Sequence, residues 1–78
     1  MTDPRSVVAE IYRQILLLRS QGKEPKRVYL HAKQFRSIVW YRQFLGTTDN
    51  QFPDYLGEYD IFGVPIYTSE VEDHISVE

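Results

Sequence analysis

The stretch Tyr29–Gly46, YLHAKQFRSIVWYRQFLG, constrains the fold more than any other part of the chain. It reads as the end of a strand running into a helix, and it holds most of the large apolar side chains. With Phe35 at the centre of one helix face, Ile38, Val39 and Leu45 fall beside it at about 100° per residue. Trp40 and Phe44 fall on the opposite side, with Lys33 and Ser37. The first face suits a core. The second needs a different account.

The flanking segments supply what this unit packs against. Asp3-Pro4 is a helix start, because a carboxylate at the N-cap accepts a backbone N–H and proline needs no donor in the first turn. Val7, Val8, Ile11, Tyr12, Ile15, Leu16 and Leu18 form a wide amphipathic stripe, with Arg5, Glu10, Arg13, Gln14 and Arg19 on the other side. Gly22 and Pro25 end this helix, which the spacing places over residues 4–21. Arg27–Leu30 is a brief strand whose continuous apolar run predicts an interior position in a sheet. The second helix spans about Ala32–Leu45, with Gly46 as its C′ residue. Arg42 interrupts its core face, either laying its methylenes over the core or pairing with a buried carboxylate.

Thr47–Glu58 carries turn chemistry in Asp49-Asn50, Pro53-Asp54 and Gly57. Phe52, Tyr55 and Leu56 either pin this loop to the body or protrude as an adhesive surface. Tyr59–Phe62 and Ile66–Thr68 read as strands on either side of a Gly63-Val64-Pro65 kink, expected at a sheet edge, turn or bulge. His74–Glu78 alternates polar and apolar, as a last strand paired antiparallel to the previous one through Ser69–Asp73. The fold class is therefore α+β: two helices on one face of a small, three- to four-stranded, mostly antiparallel sheet, in the order α-β-α-β-β-β.

At 78 residues the chain forms one domain, residues 1–78. A chain of this size buries only about 60% of its unfolded surface, so its core is small and association would help it. The absence of cysteine excludes disulfides, thiolate zinc sites and thiol nucleophiles. No apolar run approaches the roughly 20 residues of a membrane-spanning helix. The N-terminal MTDPRSVV lacks the order of a signal peptide, which predicts a soluble intracellular protein. The net charge of −2 conceals an asymmetry. All nine Lys and Arg lie between Arg5 and Arg42; residues 1–42 hold three acids, a balance of +6, and residues 43–78 carry eight acids and no cation. The bland account is two solvated faces of one fold. The sharper one is opposed electrostatic ends that stack head to tail or present the basic half to an acidic partner.

In order, the helix, the polar turn SQGKEP, the strand RVYL, the helix HAKQFRSIV and the run Ile61-Phe62-Gly63-Val64-Pro65-Ile66-Tyr67 resemble the axial domain of tailed-bacteriophage major capsid proteins, whose fold encapsulins share. The aromatic-Gly-x-Pro-aliphatic run is the most telling part. A whole capsid subunit also has an N-terminal arm, an extended loop, a spine helix and a peripheral domain, so the resemblance implies an axial-type domain standing alone. It further implies self-association through the loop Thr47–Glu58, no catalysis, no cofactor, and a place in the bacterial cytoplasm or a virion.

The candidate sites follow. Trp40, Phe44 and Lys33, with the loop aromatics Phe52 and Tyr55, are candidate protein-interface residues, unless the loop or sheet covers them. The partner is expected to be a second copy or a larger phage or host protein. Lys23, Lys26, Arg27, Lys33 and Arg36 form a candidate basic patch, but no nucleic-acid recognition pattern accompanies them and nucleic acid is disfavoured. His31 and His74 lack metal-ligand spacing. Asp49, Asp54, Glu58 and Asp60 lack the spacing of a calcium loop. No phosphate loop or nucleophile elbow is present, so no enzyme, metal or cofactor is expected.

Overall fold

The computed structural model describes residues 3–49, 51–69 and 75–78, with only the backbone of Asp49 and Ser69. Helix α1 spans Pro4–Ser20 and is capped by Asp3, whose carboxylate accepts the Arg5 N–H at 2.9 Å. Gly22 follows in the left-handed region at φ 77°, which the absence of a Cβ permits. Strand β1 is Val28–His31, α2 is Ala32–Asp49, β2 is Asp60–Ile61, β3 is Val64–Ser69 and β4 is Ser76–Val77. The α+β class and the α-β-α-β-β-β order are as expected, and β1 is interior.

The sheet is mixed, in the order β2-β3-β1-β4. The outer pairings are antiparallel, and the central one, β1 with β3, is parallel, with Val28 opposite Ile66 and Tyr29 opposite Tyr67. The expected pairing of the last strand with β3 is not made. β4 lies antiparallel to β1, with Val77 opposite Val28. The reason is that β3 is occupied on both sides, by β2 and β1. Of the connection Ser69–Asp73, residues 70–73 lie outside the described residues, as does His74.

The end of α2 and the place of Pro65 differ from expectation, while the kink is a turn, one of the expected alternatives. Gly46 does not end α2, which continues to Asp49. Its missing side chain serves packing instead, since a Cβ there would overlap the Phe52 ring. The Gly63-Val64-Pro65 kink is a two-residue hairpin turn, Phe62-Gly63, with both residues at positive φ. Pro65 then lies in an interior strand rather than at an edge. Ile66 donates to the Tyr59 carbonyl on the β2 side. Alternation therefore aims the Pro65 nitrogen toward the β1 side, where β1 begins only opposite Ile66. The missing donor thus falls where no partner strand runs.

Val7, Ile11 and Ile15 of α1 meet Val28, Leu30, Ile61, Val64, Ile66 and Val77 of the sheet in a single core, closed by Ile38 and Leu56. The face of α2 in this core is centred on Gln34 and Ile38, 6% and 2% exposed, and not on Phe35. Phe35 is half-buried at the rim, its ring 6.4 Å from that of Tyr59. The helix is turned because its first turn is tied to the strand before it. Gln34 Oε1 accepts the His31 N–H at 2.9 Å, and His31 Nδ1 accepts the Lys33 N–H at 3.1 Å. With His31 at the N-cap, the Gln34 bond is the N3 half of a capping box, and the imidazole caps the N2 amide of Lys33 rather than that of Gln34. This pair of bonds fixes Gln34 inward and gives His31 a structural task.

Gln14 also leaves its expected place on the polar face. It is half-buried, its amide nitrogen donates to the Ile75 carbonyl at 2.8 Å, and its oxygen accepts the Val77 N–H at 2.9 Å. Those backbone groups face away from β1, so Gln14 acts as a one-residue strand that closes the β4 edge. Gln14→Leu is expected to cost about 1–3 kcal/mol in urea unfolding and to speed hydrogen exchange at Val77. Unchanged exchange at Val77 would show that the side chain does not hold this strand.

Candidate interaction surface

Both helices cover one face of the sheet, and the charge asymmetry of the sequence becomes a difference between layers. The helices carry Arg5, Arg13, Arg19, Lys33, Arg36 and Arg42 against Glu10 and Asp49. Outside the helices, the described residues carry Lys23, Lys26 and Arg27 against Asp3, Glu24, Asp54, Glu58, Asp60 and Glu78. Glu10 is held below the usual carboxylate range by the Arg13 guanidinium hydrogen-bonded to it at 2.8 Å, with Gln14 adding a second donor.

On the helical layer the solvent face of α2 presents Trp40, 61% exposed, and Phe44, 48% exposed, with rings stacked at 5.4 Å and 13°. Lys33 is exposed on the same flank. The pairing follows from the four-residue spacing, which puts side chains one above the other. The other two interface candidates lie elsewhere. The Phe52 ring packs on Gly46, with the Arg42 guanidinium 4.0 Å above its centroid. Arg42 Nε also donates to the Leu56 carbonyl at 3.0 Å, so the arginine is satisfied by loop backbone and an aromatic face. The loop is pinned: Leu56 is buried and bridges to Ile61.

Tyr55 belongs to a third cluster, whose members the sequence did not bring together. Phe62 lies between Tyr55, on which it stacks at 5.2 Å, and Tyr12, whose ring is tilted to it at 5.1 Å. These rings, with Arg5, Val8, Ala9 and Tyr41, line an open cleft of about 450 Å³ where α1 meets α2 and the β2–β3 turn. Burial, with a smaller contribution from Tyr41, raises the pKa of the Tyr55 hydroxyl. Phe62 holds φ at 52°, a left-handed conformation that costs a residue with a Cβ about 1–2 kcal/mol. Each ring contact returns about 0.5–1.5 kcal/mol. Phe62→Asn, which suits this turn position, should therefore be about 1 kcal/mol more stable than Phe62→Ala, which loses the rings and keeps the strain. Equal melting temperatures for the two variants would remove the strain argument. The signal for this cluster in the sequence was Phe-Gly at a hairpin turn where Asn-Gly is usual.

The candidate basic residues do not gather on one side of β1. Lys23, Lys26 and Arg27 precede the strand, and Lys33 and Arg36 follow it, with the four residues Val28–His31 between. Tyr29 and Tyr67 lie side by side on the sheet face away from the helices, centroids 5.9 Å apart. The Tyr29 hydroxyl beside Arg27 raises the pKa of that guanidinium. By strand alternation Arg27, Asp60 and Glu78 share this face, so its charge is mixed rather than uniformly positive. Among the described residues no three His, Asp or Glu side chains converge as a metal site, and no helix is long and apolar enough to cross a membrane. Comparison of the chain with protein-family models, curated proteins and solved structures returns no match.

Proposed function

We infer that this protein is a non-enzymatic structural or interaction domain of phage type, which self-associates or docks on a larger protein through the outer face of α2. The observation that carries this reading is the stacked, solvent-facing Trp40–Phe44 pair. Such rings in water are a cost to a monomer and an anchor at an interface. The phage-type element is supported by the Ile61–Tyr67 run and the element order, both of which belong to the resemblance. Closure of the β4 edge by Gln14 favours contact through side-chain faces over strand addition.

Light scattering at high protein concentration and low salt tests self-association, and a strict monomer would count heavily against it. The second reading is a small regulator or inhibitor that binds a host protein or nucleic-acid complex. The cationic helical layer favours it, since such a surface is complementary to an acidic partner. Pull-down from bacterial lysate separates the two: recovery of only the chain itself supports self-association, and an abundant host protein supports the regulator.

A further inference from the structure

α2 is apolar on two opposite sides, which a surface helix with one buried face is not. Ile38 belongs to the core, and Trp40 and Phe44 stack in solvent on the other side. Lys33, Ser37, Trp40, Phe44 and Thr47 follow one another at alternating spacings of four and three residues. That is the seam of a coiled coil, aromatic in the middle and polar at both ends. A helix laid along this seam would make α2 an interior helix.

The charges at the ends of α2 select that helix. Lys33 and Arg36 stand near its start, its first turn has no acid, its last turn has no base, and its final residue is Asp49. This is the reverse of the arrangement that a helix dipole favours. A second α2 laid antiparallel offsets both ends, because the cationic start of each copy meets the negative end of the other. With a twofold axis at the level of Arg42, Trp40 of each copy meets Phe44 of the other. Counting outward along the pair, Arg36 then faces Thr48, and Lys33 faces Gln51, beside the end of the second α2. A parallel pair would instead set Lys33 against Lys33. The arginines of α1 make no such selection, since Arg5, Arg13 and Arg19 each have a carboxylate, from Asp3, Glu10 and Glu24, at 3.7, 2.8 and 3.7 Å. We propose that the protein pairs with a second copy of itself through an antiparallel α2–α2 contact, Trp40 against Phe44 at its centre and Lys33 at the end of the opposing helix. This rests on the reading of the outer face of α2 as an interface and names its occupant and its orientation. One helix pair covers less than the roughly 800 Å² per partner of a standard interface, so the dimer is expected at roughly micromolar concentrations and above.

The chain has no cysteine, so introduced cysteines report the arrangement without background. Ser37 and Thr48 lie on the same flank of the seam, and in the antiparallel register they come within disulfide reach of each other across the contact. A mixture of the Ser37→Cys and Thr48→Cys proteins under mild oxidation should give a covalent dimer of one with the other, and neither protein alone should cross-link. Adding Trp40→Ala to both should abolish the product. Lys33→Glu should weaken association by about fivefold or more in Kd while raising the melting temperature, because an acid suits the start of its own helix and not the end of the opposing one. Cross-linking of either protein to itself, or none in the mixture, would overturn the antiparallel pair. So would a Lys33→Glu variant that associates more tightly. A failed cross-link with concentration-dependent association that still requires Trp40 removes this pairing and leaves the interface reading. Failure with no association that depends on Trp40 removes both.

Discussion

Ile38→Ala is expected to lower folding stability by about 2–5 kcal/mol, read from the urea midpoint at constant slope. Ile38 is 2% exposed and sits where α2 meets the sheet and α1, so truncation leaves a cavity that a small core cannot collapse to fill. Small domains have only about 5–15 kcal/mol of stability in total, so this single change removes a large share. Phe35→Ala, by contrast, removes a half-buried ring at the rim and is expected to cost less, about 1–3 kcal/mol, below the usual loss for a fully enclosed phenylalanine. The comparison is the informative quantity. A costlier Phe35→Ala than Ile38→Ala would mean that α2 is rotated toward Phe35 in solution.

The second large effect concerns association. Trp40→Ala is expected to change folding stability by no more than about 1 kcal/mol, because the indole lies in solvent and its main neighbour is Phe44. The same change should weaken self-association, or binding to a larger partner, by about 2 kcal/mol or more, roughly thirtyfold in Kd. Sedimentation equilibrium and a thermal melt on the same sample read both quantities. Phe44→Ala should show a smaller loss, and the double variant less than the sum, because the two rings form one stacked unit. A melting temperature lowered as far as in Ile38→Ala, with association intact, would show that Trp40 belongs to the fold and not to a docking face.

Much of the fold was legible from local chemistry. Asp3-Pro4 and Gly22 bounded α1 because capping and left-handed turns are made within a few residues. The continuous apolar run ending at Leu30 indicated an interior strand, and β1 lies between β3 and β4. The exposed side of α2 was also legible, since Trp40 lies far round the helix from both Phe35 and Ile38. The core-facing direction was less so. Phe35 is the larger side chain, but Gln34 is held inward by a hydrogen bond to His31, and hydrophobicity alone does not register that contact. Gly46 looked like a helix end because glycine often is one; here it makes room for Phe52, a residue six positions away.

The sequence by itself determined the two helices and the caps of α1, the strand entering α2, the α+β class and the separation of charge along the chain. Each of these is written in neighbours a few positions apart, where backbone geometry and periodicity act. Tertiary structure alone decided that β4 pairs with β1, that Gln14 seals its outer edge, and that Tyr12, Tyr41, Tyr55 and Phe62 meet in one cleft. Those contacts join residues up to 63 positions apart, and they form only once the parallel β1–β3 pair has set which edges and faces remain open.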